Sequence, residues 1–283
     1  MKAGSTAGIA TMLTSAASNQ AGAALGAHAF PSIGPAGVVA VRQVVAAAVL
    51  LPLARPDLRR YTWAQWWPIL VLGLIFATMN LSLYAAIDRI GLALAVTLEF
   101  LGPLAIAVTG SRLCAALAGA GVYILVLPGP SSDFLGVGLG LLAAGCWAAY
   151  ILLNRLAGRR LTGLQAPAVA SLVAAVTYLP VLLTINFQGV GYAVTAGLLS
   201  SVVPYAADLI VLRFVPARVF GVFMSVHPVM AALAGLVLLG QALAAHQWSG
   251  IGLVVAANAL ALWRPVPGPG QLPGAPRGST ASS

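Results

Sequence analysis

The sequence predicts an all-α integral membrane protein, with ten transmembrane helices in two inverted five-helix repeats and both termini in the cytoplasm. Only 7% of the 283 residues are charged and 60% are hydrophobic, whereas soluble domains carry about a quarter charged residues. The apolar residues form runs of about twenty, long enough to cross about 30 Å of hydrocarbon as helices. A soluble fold could not cover its surface with so few charges, so most soluble enzymes and disordered proteins are excluded.

The breaks between the apolar runs carry Pro, Gly or charged residues and divide the chain into ten spans. Residues 1–128 form the first predicted repeat and residues 129–264 the second. Residues 265–283 are rich in Pro, Gly and Ser and are expected to be a disordered cytoplasmic tail, because they cannot bury enough apolar surface to fold. The predicted spans are residues 6–27, 34–54, 63–86, 91–110, 112–128, 134–154, 165–186, 189–211, 216–239 and 246–263.

The distribution of Lys and Arg predicts the orientation of these spans, because cytoplasmic loops collect cations. With the N-terminus inside, the outside loops contain only Arg89, and Arg42 lies within a span. A missed or extra helix would move part of these cations to the outside loops, so the asymmetry supports ten spans. The cations placed inside are Lys2, Arg55, Arg59, Arg60, Arg112, Arg155, Arg159, Arg160, Arg213, Arg218, Arg264 and Arg277.

The first span has an alternative interpretation as a cleaved signal peptide, because Lys2 precedes an apolar stretch that ends at Ala27-His28-Ala29. However, polar and small residues recur along it at spacings of three and four, which places them on one helical face. A signal peptide has no use for such a stripe, so we expect the helix to be retained. We predict that Ser15 and Asn19 on this stripe line a cavity.

A weak internal repeat relates the fourth span to the ninth. A shift of 125 residues places Pro103 on Pro228, together with an Ala and a Gly further along. Proline removes a backbone hydrogen bond, which the membrane tolerates only against protein or a water-filled cavity. Pro204 is a third predicted helix break. Paired Pro-interrupted spans in inverted halves indicate the central site of a transporter.

Glu99 is the most informative candidate site residue, because an acid inside a membrane span is costly unless it is paired or faces water. It lies in the fourth span, with Gly102 and Pro103 on the next turn. The structural alternative is an ion pair with Arg42, the other charge inside a span. Arg42 in turn is a candidate for binding a substrate carboxylate.

Four further polar residues within spans are candidates for substrate binding or coupling. Asn80 and Tyr84 lie one turn apart, and hydrogen bonding between helices is their alternative role. Asp208 follows Pro204 by one turn and has an equally plausible structural role near the cytoplasmic end. His227 precedes Pro228, and its titration range suits proton coupling, although a lone histidine in a helix is more often held by its neighbours.

Several stretches of the chain together point to a known family. They are Ala29 to Arg42, Met79-Asn80 with Tyr84, Leu98 to Ala105, Gly145 to Ile151, Pro204-Tyr205, and Pro216, Arg218, Phe220-Gly221 and Met224-Ser225 to Pro228. These stretches resemble the EamA family of the drug/metabolite transporter superfamily, and most closely its bacterial threonine/homoserine exporters. The resemblance implies a ten-helix inner-membrane carrier in which Glu99, Arg42, Asn80 and Tyr84 face the central cavity. This chain departs from those exporters at His227 and Gln241, where they usually have Glu.

The predicted function is secondary transport in the bacterial inner membrane, with proton-coupled export of amino acids or similar small polar metabolites. Export of a hydrophobic drug or secondary metabolite, uptake, and a non-transporting membrane subunit are the alternatives. A membrane-embedded enzyme is disfavoured, because the polar residues within spans form no catalytic set. No cofactor, metal or nucleic acid is expected; a small-molecule substrate, protons and the bilayer are the expected partners, and a homodimer is one candidate assembly.

Overall fold

The computed structural model describes residues 2–107, 112–127, 132–158, 160–161, 164–204 and 224–263. All of the regular secondary structure in these ranges is helical, as the sequence predicts. A 3-10 turn at Leu58–Arg60 and a π-helical segment at Leu198–Val202 accompany the α-helices. The α-helices are α1 (Lys2–Ala27), α2 (Phe30–Ala54), α3 (Trp63–Ile90), α4 (Leu92–Glu99), α5 (Leu101–Ala107), α6 (Arg112–Val126), α7 (Phe134–Gly158), α8 (Gln165–Thr177), α9 (Leu179–Leu182), α10 (Val190–Gly197), α11 (His227–Leu239) and α12 (Ala245–Trp263).

Three of the described helices are long and apolar enough to cross a membrane by themselves, namely Phe30–Ala54, Trp63–Ile90 and Phe134–Asn154. The shorter apolar helices, of 10–17 residues, are Leu92–Ile106, Arg112–Val126, Gln165–Thr177, Val190–Val202 and His227–Leu239. The predicted fourth and seventh spans are interrupted by turns at Phe100 and Tyr178. The eighth span changes from an α-helix to a π-helix at Leu198 without a break, and the eighth and ninth are described only up to residue 204 and from residue 224.

Prolines account for the interruptions, because each lacks the N–H that would bond to the carbonyl one turn earlier. Pro103 follows the break between α4 and α5, and Pro180 follows the break between α8 and α9. The π-helical segment directly precedes Pro204. In α2, Gly34 adopts φ 66°, which produces a kink before Pro35; a side chain at this position would be strained.

The helices assemble around a buried centre formed by α1, α2, α3, α4 and α11. Outside this centre, α6 packs against α12 along their length. A Cβ atom on Gly121 of α6 would lie 3.0 Å from the Gly250 carbonyl oxygen, and one on Gly250 would lie 2.7 Å from the Gly121 carbonyl oxygen. This reciprocal glycine contact brings the two backbones together at the edge of the bundle.

Candidate functional site

Arg42 is the only cation that the structure describes as buried within the bundle, with 8% of its surface exposed. Its Nη1 donates a hydrogen bond to Asn80 Oδ1 at 3.4 Å, and its guanidinium carbon lies 4.6 Å from the centroid of the Tyr84 ring. The Asn80 amide nitrogen donates to the Phe76 carbonyl at 2.8 Å, which fixes the orientation of the amide. Helix α3 therefore presents an oxygen acceptor and an aromatic face to the guanidinium, and both stabilise its charge.

Tyr84 is fully buried where α1, α2, α3 and α10 meet. A Cβ atom on Gly26 of α1 would lie 3.1 Å from a ring carbon of Tyr84, so the glycine leaves room for the ring. The Tyr84 hydroxyl faces Ser200, whose own hydroxyl donates to the Asn19 carbonyl at 2.8 Å. Arg42 Nε is a buried donor without a hydrogen-bond partner among the described residues.

Glu99 is the last residue of α4 and is 7% exposed. The helix stops there because Pro103 cannot donate to the Glu99 carbonyl, and α5 starts two residues later. The Glu99 carboxylate forms no ion pair with Arg42, although Arg42 is the charge that acts on it most strongly. The ion pairs within the described ranges instead join residues at the ends of helices. Two ionisable side chains of opposite type, Arg42 and Glu99, are therefore buried in this structure without forming an ion pair.

His227 begins α11 and is 5% exposed. Its Nδ1 lies 3.1 Å from Nε2 of Gln20, a residue of α1 that is 4% exposed. Its ring stacks on Phe100 at 5.3 Å and 27°, and Phe100 meets the Trp147 ring edge-on at 4.6 Å. Because Phe100 follows Glu99 directly, these contacts place His227 beside the α4 break.

Sequence reasoning did not single out Gln20. The feature of the sequence that could have indicated Gln20 is its long amide side chain, directly after Asn19 and beside a polar stripe of residues with short side chains. The partner of Gln20 lies 207 residues away, so the chain itself gave no indication of the pair.

The remaining predicted site residues are placed as follows. Ser15 is buried on α1, and Asn19 is half-buried and engages Ser200 through its backbone. Pro103 is the third residue of α5, Pro228 follows His227, and Pro204 ends a described range. Asp208 lies outside the described residues.

Gln241 joins the two helices that carry Glu99 and His227. Its Oε1 accepts a hydrogen bond from the Leu92 N–H at 3.0 Å, at the beginning of α4. The same oxygen lies 3.1 Å from the positions that a Cβ atom would take on Gly91 and on Gly235. The side chain satisfies one of the free N–H groups at a helix N-terminus.

At the C-terminal end of α3, Arg89 pairs with Asp133 at 3.0 Å. Asp133 also accepts a hydrogen bond from the Gly136 N–H at 2.8 Å in the first turn of α7. This backbone hydrogen bond, followed by the Arg89 side chain, holds the pKa of Asp133 below its ordinary value. Asp133 thereby fastens the beginning of α7 to the end of α3.

An apolar helical bundle with ionisable side chains at its centre is typical of membrane transporters, and no group of three or more potential metal ligands occurs among the described residues. Comparison with known proteins identifies the transporter class. Residues 134–263 match the model of the EamA-like transporter family, and over its greater length the chain is similar to curated members of that class. The chain belongs to the EamA-like transporter family.

The similar proteins are bacterial amino-acid exporters. The chain is 33% identical over 264 residues to the threonine/homoserine exporter RhtA of Escherichia coli strain K12, covering 88% of this chain and 89% of the exporter. It is 34% identical over 266 residues to the exporter of the same name from Salmonella typhimurium strain LT2, with the same coverage. A protein crystal structure at 19% identity covers 90% of this chain and 96% of its own, with a TM-score of 0.57, which shows a shared fold.

Proposed function

We propose that this protein is a proton-coupled exporter of small amino acids such as threonine and homoserine, working by alternating access in the bacterial inner membrane. The observation that carries the proposal is the pair of buried opposite charges, Arg42 and Glu99, that do not form an ion pair. The names of the relatives supply the amino-acid class.

A zwitterionic substrate compensates both charges at once. Burying a charge is costly unless it is paired and hydrogen-bonded. Arg42 Nε has no hydrogen-bond partner among the described residues, so it suits a substrate carboxylate. The Glu99 carboxylate suits the substrate ammonium. A ligand that carries only one of the two charges leaves the other uncompensated, which favours amino acids over simple amines or acids.

The same carboxylate supports coupling to protons. Glu99 can be neutralised by a substrate ammonium or by a proton, and one carboxylate cannot serve both at the same time. A site that releases the amino acid on one side of the membrane takes up a proton on Glu99 there and returns with the charge of Arg42 held by Asn80 Oδ1 and the Tyr84 ring. Proton antiport follows from this competition and requires no nucleotide or metal.

The pattern of helix contacts supports two related five-helix halves. The main helix contacts map onto one another when each helix of the first half is exchanged with its counterpart in the second. The counterparts are α1 and α7, α2 and α8, α3 and α10, α4 with α5 and α11, and α6 and α12. Thus α1–α11 corresponds to α7–α4, α1–α10 to α7–α3, and α2–α10 to α8–α3, while α2–α8, α4–α11 and α6–α12 map onto themselves. The family model, which matches residues 134–263 alone, supports the same division at about residue 129.

Because each half has five spans, the second half is inverted relative to the first and both termini lie on the same side of the membrane. The distribution of Lys and Arg assigns that side to the cytoplasm. Alternating access then consists of the two halves rocking around the central charges. Labelling of cysteines introduced near Lys2 and in residues 265–283 from the cytoplasmic side alone would support this topology. A native mass measurement in detergent decides whether the transporter is a monomer or the homodimer named as a candidate assembly.

The proposal is tested by counterflow of labelled threonine and homoserine into proteoliposomes, with wild type compared with Glu99→Gln and Arg42→Gln. We expect either substitution to reduce exchange at least about tenfold, because each leaves one substrate charge unpaired. A pH gradient should drive uphill movement only in the wild type.

The matched control is Asp57→Asn, which removes an exposed acid from a loop and should leave transport unchanged. If Glu99→Gln matches the wild type between about pH 5 and 8, the role of Glu99 is wrong. If the wild type exchanges no amino acid but moves a hydrophobic solute, the proposed substrate class is wrong.

A further inference from the structure

Gln20 and His227 form a buried polar contact between α1 and α11 that the proposed binding of the two substrate charges does not use. The two atoms in contact are the Gln20 amide nitrogen and His227 Nδ1, 3.1 Å apart. Both residues are at least nine-tenths buried. A contact of this kind is costly to leave unsatisfied, so its geometry is informative about both partners.

The contact fixes where the His227 proton resides. An amide nitrogen can only donate, so Nδ1 must be the acceptor. In a neutral imidazole the other nitrogen then carries the hydrogen. Gln20 therefore selects the tautomer in which Nε2 is a hydrogen-bond donor.

The ring that carries this donor is held in place on its other sides. Phe100 stacks against it at 5.3 Å, Trp147 braces Phe100 edge-on at 4.6 Å, and Pro228 follows in the chain. Nevertheless, Nε2 makes no hydrogen bond to any residue within the described ranges. A positioned donor on a buried ring thus has no hydrogen-bond partner among the described residues, next to the α4 break at which Glu99 lies.

We infer that Gln20 is a positioning residue, which holds His227 so that its Nε2–H donates to an oxygen on the side chain of the substrate. The inference rests on the proposed function, in which Arg42 and Glu99 bind the carboxylate and the ammonium. It adds a third point of recognition and narrows the substrate class to amino acids whose side chains carry a hydroxyl or carbonyl oxygen. A substrate of the same shape without that oxygen leaves the donor unpaired.

The substrate part is tested by competition in the counterflow assay with threonine and valine, which have nearly the same shape and differ in the hydroxyl. The wild type should prefer threonine about tenfold, the value expected for one hydrogen bond. Gln20→Leu and His227→Phe should reduce this preference to within about twofold, with the affinity for valine changed little. The control is Gln43→Leu, which removes an equally buried amide from α2 and should keep the preference.

The positioning part is tested without transport, by 15N NMR of histidine-labelled protein. In a background of His28→Gln and His246→Gln, His227 is the only histidine in the chain. The wild-type ring should show a protonated Nε2 and an unprotonated Nδ1. Gln20→Leu should give a mixture of tautomers, and Gln20→Glu should move the hydrogen to Nδ1, because a carboxylate accepts rather than donates.

The outcomes separate this inference from the proposed function. A protonated Nδ1 in the wild type, or a spectrum that Gln20→Leu leaves unchanged, overturns the positioning role whatever the protein transports. A threonine preference that survives in His227→Phe overturns the third recognition point. A wild type that exchanges no amino acid overturns the proposed function and the substrate class with it, while the NMR result still decides the role of Gln20.

Discussion

Two helix junctions that the proposed internal repeat would make equivalent are built in opposite ways. The shift of 125 residues that aligns Pro103 with Pro228 also places Gly102 opposite His227 and Gly145 opposite Gln20. In the first junction, α5 crosses α7 with Gly102 directly against the Ala144 carbonyl group. In the second, α11 meets α1 through the hydrogen bond between His227 and Gln20.

The difference shows how one architecture divides two tasks between its halves. Contact of a glycine with a backbone leaves no room for a side chain, so the junction of α5 with α7 contributes packing. The junction of α11 with α1 is separated by two polar side chains and contributes hydrogen-bonding chemistry. Glu99 lies on the tightly packed side and His227 on the polar side, so the two breaks are related in fold but not in chemistry.

The largest effect on stability is expected where the packing is tightest. Gly102→Ala would place a methyl group against the Ala144 carbonyl, with the carbonyl carbon 3.0 Å away, and backbone cannot move aside cheaply. We expect a loss of about 1–3 kcal/mol, as for other overpacked sites, measured by thermal unfolding in detergent. Gly145→Ala is the control, because a Cβ there meets nothing within 4 Å. Equal stability of the two variants would show that the junction is not tight.

The next effect concerns Gln241, which links the beginning of α4 to the end of α11. Gln241→Leu removes the acceptor of the Leu92 N–H, and we expect a loss of about 1 kcal/mol, similar to the loss of a helix cap. Gln247→Leu removes an exposed cap at the beginning of α12 and should cost less, because water can replace it. A larger effect of Gln247→Leu in thermal unfolding would contradict the assigned link.

The hydrogen bond at the polar junction should contribute less to stability than to specificity. In a double-mutant cycle of Gln20→Leu and His227→Leu, we expect a coupling energy of about 0.6 kcal/mol, the average for hydrogen bonds between membrane helices. The double variant should lose less stability than the two single variants together, because it leaves no buried polar group unpaired. Strict additivity in thermal unfolding would show that the two side chains do not interact.

The smallest effect is a dependence on acid at the beginning of α7. The pKa of Asp133 in the folded protein lies below its ordinary value of 3.8. Its contribution to stability is therefore fully present above about pH 4 and is lost as the pH falls through the lower folded-state value. The wild type should lose melting temperature more steeply below about pH 4 than Asp133→Asn. Parallel pH profiles would mean that Asp133 does not fasten α7.

Much of the fold could be predicted because its signals are local. Apolar runs marked the helical regions, and Pro103 marked the region where the fourth span breaks. The interruption of the seventh span was not predicted, because Pro180 stands in a run whose average hydrophobicity is that of a continuous helix. Pro204 was predicted as a helix break, and the structure describes a π-helical segment just before it. The structural ion pair between Arg42 and Glu99, kept open as an alternative, is not formed in this structure.

The sequence alone determined that this chain is a helical membrane protein with one acid and one cation in the middle of its apolar segments, since hydrophobicity and charge are properties of individual residues. It could not determine which of those polar groups meet. The tertiary structure placed Tyr84 under Arg42, kept Glu99 out of an ion pair, and brought Gln20 to a histidine more than two hundred residues away. Such contacts depend on helix rotation and crossing, which are set by packing between distant segments rather than by any local pattern.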